Sequence, residues 1–120
     1  RIFSIIDNKN KEFFLQGLIN KIKNNKKIVK LDNLNHYRDF ISTDQISKAI
    51  LLLWNKKHHG IINIANGKKT NLKKIAWIFA KKCKKKLIFN KNKQTSMIAN
   101  INKLKKYGWK SNNLNFIKYF

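Results

Sequence analysis

Two rhythms of apolar and polar residues trade places along this chain, one of period two and one near 3.6. RIFSII (1–6) is β-branched and aromatic, as strands are. EFFLQGLINKIK (12–23) spaces Phe14, Leu18, Ile22 and Leu15, Ile19 along one helical face, with Gly17 a tolerated weak point. KIVKL (27–31) alternates as a short strand, and YRDFIS (37–42) is a further extended segment. Ser42 and Gln45 then stand at capping-box spacing, and Asp44 falls in the first turn, where its charge suits the helix dipole. Ile46, Ala49, Ile50 and Leu53 form a core stripe widened by Leu51, Leu52 and Trp54, so this helix is expected to be buried on most sides.

The second half repeats the alternation. IINIANG (61–67) reads as a buried strand running into a tight turn. After it, Thr70 or Asn71 caps a helix in which Leu72, Ile75, Ala76, Phe79 and Cys83 share a face. KKKLIFN (84–90) supplies another short strand and KNKQTS (91–96) a loop. NINKLKKYGW (100–109) predicts a short helix closed by Gly108, and NLNFIKYF (113–120) a last helical turn or two. Strands separated by helices define the α/β class, with parallel pairing where a crossover intervenes.

A chain of 120 residues with 42% apolar content has room for one domain and a modest core. It opens on Arg1, and Met97 is its only methionine, so it is expected to be a processed, excised or truncated part of a longer protein. No signal-peptide pattern occurs, and the longest apolar run, 49–54, is far short of the roughly 20 residues a spanning helix needs, which predicts a soluble chain with no membrane partner. Cys83 is alone, which excludes an internal disulfide framework and a Cys/His zinc set and fits a reducing compartment such as the cytoplasm. The net charge of +23 points toward a polyanion. Yet 26 lysines against 2 arginines, with 18 asparagines and no proline, is the usage of AT-rich codons filling surface positions. Readers of DNA sequence lean on the arginine fork, so weak salt-sensitive attraction is expected rather than a specific nucleic-acid partner.

In this order the segments resemble the C-terminal part of the extended short-chain dehydrogenase/reductases, the NAD-dependent epimerases and dehydratases that modify nucleotide-activated sugars. RIFSI is similar to the strand after the catalytic helix, LDNLNHYRDFIST (31–43) to the RDF strand, and QISKAILLL (45–53) to the helix that follows it. INIANGKKTNLKKIA (62–76) is similar to the NIGSG turn with its helix, and INKLKKYGWK (101–110) to the terminal KLGWKP motif. The likeness implies one partial domain over residues 1–120, a substrate-binding part with a small mixed sheet and helices and with the N-terminal Rossmann lobe absent. NAD or NADP would belong to the intact parent, and none would be bound by this chain alone. In the family a glycine-rich turn holds the dinucleotide pyrophosphate, while a tyrosine and a lysine four positions apart, with a serine or threonine, do the chemistry. Here Gly17, Gly60, Gly67 and Gly108 are scattered, and none of Tyr37, Tyr107 and Tyr119 has a lysine at that spacing, so the chain alone is expected to be inactive.

A nucleotide sugar carries a diphosphate, which two parallel guanidinium N–H bonds hold and orient. The resemblance gives that role to Arg38, whose plainer reading is an ion pair with Asp39 or Asp32. Asp39 reads as structural, fixing the turn or the arginine's rotamer. Ser4 falls where the family has Asn or Ser near the sugar phosphates, or is a plain strand serine. A second phosphate-binding arginine is missing before the last helix, and Lys91 or Lys93 is expected in its place as a point charge. Ile6-Asp7 for Tyr-Gly, Gln45 for an acid, Ala65 and Asn66 in the NIGSG turn and Ser111 for proline describe a relaxed or decaying member. The implied partners are a nucleotide-sugar substrate, the missing lobe and, for the intact parent, a second copy in a homodimer. The rivals are a basic nucleic-acid or polyanion-binding module and a non-functional remnant.

Other residues have quieter readings. His58 and His59 lack a third ligand and read as an exposed loop rather than a metal site, and His36 either approaches a phosphate or faces solvent. Cys83 reads as buried and inert. Trp54, Trp77 and Trp109 are expected to pack in the core rather than stack on bases.

Overall fold

The computed structural model describes residues 1–7, 12–24 and 27–120. Strand β1 (Ser4–Ile6) is followed by helix α1 (Phe14–Asn24), β2 (Ile28–Leu31), β3 (His36–Arg38), β4 (Phe40–Ser42) and α2 (Thr43–Asn55). Then come β5 (Thr70–Asn71), α3 (Leu72–Lys82), β6 (Lys86–Phe89), β7 (Thr95–Met97), α4 (Asn102–Lys106) and a 3-10 turn at Phe116–Tyr119. The fold is α/β, with three small sheets among the described residues. β1 pairs with β4 and β2 with β6, both parallel, and β3 lies between antiparallel β5 and parallel β7. Each parallel pair is separated in sequence by at least one helix, because a tight hairpin returns the chain antiparallel.

Strands β3 and β4 are separated by a single residue, Asp39, and belong to different sheets. Along β4 the period-two alternation then divides the core. Phe40 enters a cluster built on Leu15, Leu18, Ile19 and Ile22 of α1 and Ile75 and Phe79 of α3. Ile41 enters a second cluster with Ile46, Ala49 and Leu53 of α2, and with Ile62, Ile64, Leu104 and Trp109. The C-terminal turn seals the first cluster: Phe116 meets Phe40 edge-on at 5.7 Å and Phe120 stacks on Phe79 at 5.5 Å. Cys83 is half-buried against that cluster.

The helix signals act as the side chains dictate. Ser42 Oγ accepts from the Gln45 amide at 3.3 Å while Gln45 Oε1 accepts from the Ser42 amide at 3.1 Å, a complete capping box. Asn71 rather than Thr70 caps α3, its Oδ1 accepting from the Lys74 amide.

Several expectations are corrected. Phe14 is largely exposed on α1, and the outer side of α2 is open: Ile50 and Leu51 face solvent and Trp54 is 81% exposed. The second cluster covers one stripe of α2 with Leu52 partly buried beside it, and among the described residues Ile50, Leu51 and Trp54 stay outside it. Trp77 is likewise 51% exposed beside Phe89, and only Trp109 is buried, its indole N–H donating to the Ala65 carbonyl at 3.1 Å. Residues 61–67 make one bridge, Ile64 to Ile2, and Ile61 is exposed. The predicted loop at 91–96 ends in strand, since Thr95 and Ser96 pair with His36 and Tyr37. His58 is half-buried, its Nδ1 2.8 Å from the Tyr107 hydroxyl, whereas His59 is exposed. Among the described residues no helix is long and apolar enough to cross a membrane.

Candidate functional site

Alternation along β3 decides what its residues face. His36 and Arg38 line a cleft of ≈ 460 Å³ together with Ser4 of β1, Glu12 and Asn33, while Tyr37 lines a different cavity. Arg38 is half-buried. Its Nη1 donates to the Tyr37 carbonyl at 2.8 Å and to Thr95 Oγ1 at 3.2 Å, which leaves Nε and Nη2 without a partner among the described residues. The same Thr95 oxygen lies 2.8 Å from His36 Nδ1. The guanidinium is thus steered by β7 while part of its fork stays available for a planar anion.

Neither acid proposed as an ion-pair partner takes Arg38. Asp39 points the other way and is fully buried, its Oδ1 accepting from the Asn66 amide at 3.1 Å and its Oδ2 from the amides of Gly67 at 2.8 Å and Ala99 at 3.2 Å. Asp32 accepts from the Asn90 side chain. Asp39 therefore fixes a turn rather than a rotamer: it ties the β3–β4 junction to residues 66–67 and to the approach to α4. Asn66 continues this buried network, its Nδ2 donating to the Phe40 carbonyl at 2.9 Å and to Gln45 Oε1 at 3.1 Å. Gln45, standing in place of an acid, serves both the cap and this network.

Ser4 and Arg38 are thus brought to one cleft, and Lys91 and Lys93 are not among its lining residues. Both lysines are exposed, on a segment tied to residues 33–35: Asn35 Nδ2 donates to the Asn92 carbonyl at 2.9 Å and Asn92 Nδ2 to Asn33 Oδ1 at 3.3 Å. Sequence reasoning missed Asn33 and Glu12 in the cleft, and Thr95, which lies outside its lining but hydrogen-bonds Arg38. A three-residue strand with every residue exposed carries no alternation by which Thr95 could be found. Among the described residues no three His, Cys, Asp or Glu side chains are grouped to hold a metal ion.

A dinucleotide cradle needs glycines where the backbone must approach a pyrophosphate. Gly17 lies inside α1, and Gly60, Gly67 and Gly108 sit in separate turns at φ +91, +67 and +94. At Gly67 the space a Cβ would take is already filled, with Ile101 Cδ1 2.7 Å away. The described residues do not form that cradle.

Helices crossing between parallel strands define an α/β protein, with the Arg38 guanidinium of β3 lining a cleft. Residues 6–65, half of the chain, match the family model of the NAD dependent epimerase/dehydratase family, and the chain belongs to that family. No curated protein matches it. Among solved structures it is similar in fold to RMD from Pseudomonas aeruginosa complexed with NADPH, at 15% identity and TM-score 0.79 over 97% of this chain and 43% of that one. It is also similar to UDP-N-acetylglucosamine 4-epimerase from Methanobrevibacter ruminantium M1 in complex with UDP-N-acetylmuramic acid, at 22% identity and TM-score 0.68, covering 93% of this chain and 39% of that one. A third likeness is to a GDP-6-OMe-4-keto-L-xylo-heptose reductase from C. jejuni, at 16% identity and TM-score 0.79, covering 98% of this chain and 50% of that one. The chain therefore spans half or less of the length of each of these three.

Proposed function

We propose that this chain is the substrate-binding portion of an NAD(P)-dependent nucleotide-sugar epimerase, dehydratase or reductase. The observation that carries the reading is the convergence of Ser4 and Arg38 on one cleft, with part of the guanidinium fork unpartnered. Arg38 would take the diphosphate and Ser4 would donate a hydroxyl beside it. Lys91 and Lys93 would add positive potential from the rim as point charges. When bound, the dinucleotide supplies hydride transfer, and its binding groups and the tyrosine–lysine pair would come from a further lobe, as would an active cytoplasmic enzyme. This chain's share is position: it holds and orients the substrate.

Isothermal titration with UDP, GDP and a UDP-sugar tests the reading, each with wild type, Arg38→Ala and Arg38→Lys. Loss of a charge-assisted hydrogen bond, about 1.5–3 kcal/mol, predicts roughly a 10- to 150-fold weaker complex for Arg38→Ala, with lysine restoring only part. Equal affinity in all three proteins, with binding that disappears as salt is raised, would instead support a polyanion-binding module.

A further inference from the structure

Tyr37 faces away from Arg38 into a second cavity of ≈ 410 Å³, and Phe40 is the residue common to both clefts. Aromatic walls from Tyr37, Phe40 and Phe116 meet the apolar side chains of Ile75 and Ile78. Lys68, Lys69 and Lys74 also line it, and among the described residues no carboxylate does. Lysine is common in this chain, but a solvated face disperses its charge, whereas a concave site with apolar walls focuses it. Two of the ammonium groups are placed by contacts at the cavity: Lys68 Nζ donates to Asn113 Oδ1 at 2.6 Å, and Lys69 Nζ sits 4.3 Å from the Tyr37 ring centroid. The first turn of α3 adds no acid to balance them. The volume lies within the range of small-ligand sites, which combine apolar walls with a few convergent polar groups.

We infer that this cavity is a second binding site, independent of the Arg38 cleft, for a small aromatic phosphate of nucleoside-monophosphate size. The ring lies against the aromatic walls, and the phosphate meets the lysines, whose compact charges suit a terminal phosphate better than a planar carboxylate. Asn112 and Asn113 supply donors and acceptors to the remaining polar edge.

AMP, adenosine and inorganic phosphate are titrated separately into the isotopically labelled 120-residue chain at about 0.15 M salt, with backbone amide shifts recorded. AMP is expected to give saturable shifts confined to residues 37–40, 66–75 and 112–116, with affinity at least tenfold above either fragment. The exposed pair Lys69→Ala/Lys74→Ala is expected to weaken AMP at least tenfold with an unchanged circular dichroism spectrum, and Lys48→Ala, exposed on α2 and lining neither cavity, is expected to leave AMP binding as it was. Inorganic phosphate binding as well as AMP, shifts spread over lysines elsewhere on the surface, or an equal loss of AMP binding in Lys48→Ala would each overturn the proposal.

Discussion

Replacing Asp39 by alanine removes one carboxylate and leaves three backbone amides without their acceptor. The side chain is fully buried and receives the amides of Asn66, Gly67 and Ala99 at 3.1, 2.8 and 3.2 Å. Asn66 and Ala99 are buried, so their N–H groups find no water after the change, at a cost of about 1–3 kcal/mol each. Gly67 is exposed, and its amide is rehydrated. Relief of the buried carboxylate's own desolvation offsets part of the loss. The expected net destabilisation is about 3 kcal/mol, a large share of the roughly 6–18 kcal/mol open to a domain of this length. It corresponds to a melting temperature lower by roughly 10–15 °C. Asparagine keeps the shape and one acceptor but turns an N–H₂ toward an N–H, so about 2 kcal/mol is expected for Asp39→Asn. Urea unfolding followed by far-ultraviolet circular dichroism measures both variants. A loss under about 1 kcal/mol for Asp39→Ala would refute the assignment of Asp39 as the tie between the sheet switch and the 66–67 turn.

Two more expectations follow from single residues. Gly67→Ala forces φ +67 on a residue with a Cβ and drives that atom to 2.7 Å from Ile101 Cδ1, so urea melts are expected to show a loss of about 2–4 kcal/mol, and an unchanged midpoint would count against the packing described. Burial, the largest influence, raises the Tyr119 phenol above its ordinary 10.0; a hydrogen bond with Ser42 lowers it, and Asp44 and then Asp7 raise it further. The folded state therefore holds this proton more tightly than the unfolded chain does. Its contribution is complete below about pH 10 and is lost as pH rises through the folded value. Wild type is expected to lose stability relative to Tyr119→Phe as pH rises above about 10, a comparison in which lysine titration cancels; parallel curves would contradict it.

What the sequence determined by itself was local. Local pattern placed the four helices of the described residues, the capping box at Ser42–Gln45 is a short-range bargain between two side chains, and the order of RDF, NIGSG-like and Gly-Trp segments identified the family. Tertiary structure decided which apolar residues have neighbours. Ile50, Leu51 and Trp54 read as core because hydrophobicity records what a residue tolerates, and only packing supplies the surface that covers it. It also decided the cleft. That Arg38 is steered by Thr95 while Asp39 turns inward to amides up to 60 residues away depends on parallel pairing of β3 with β7, a non-local register that no window of sequence contains.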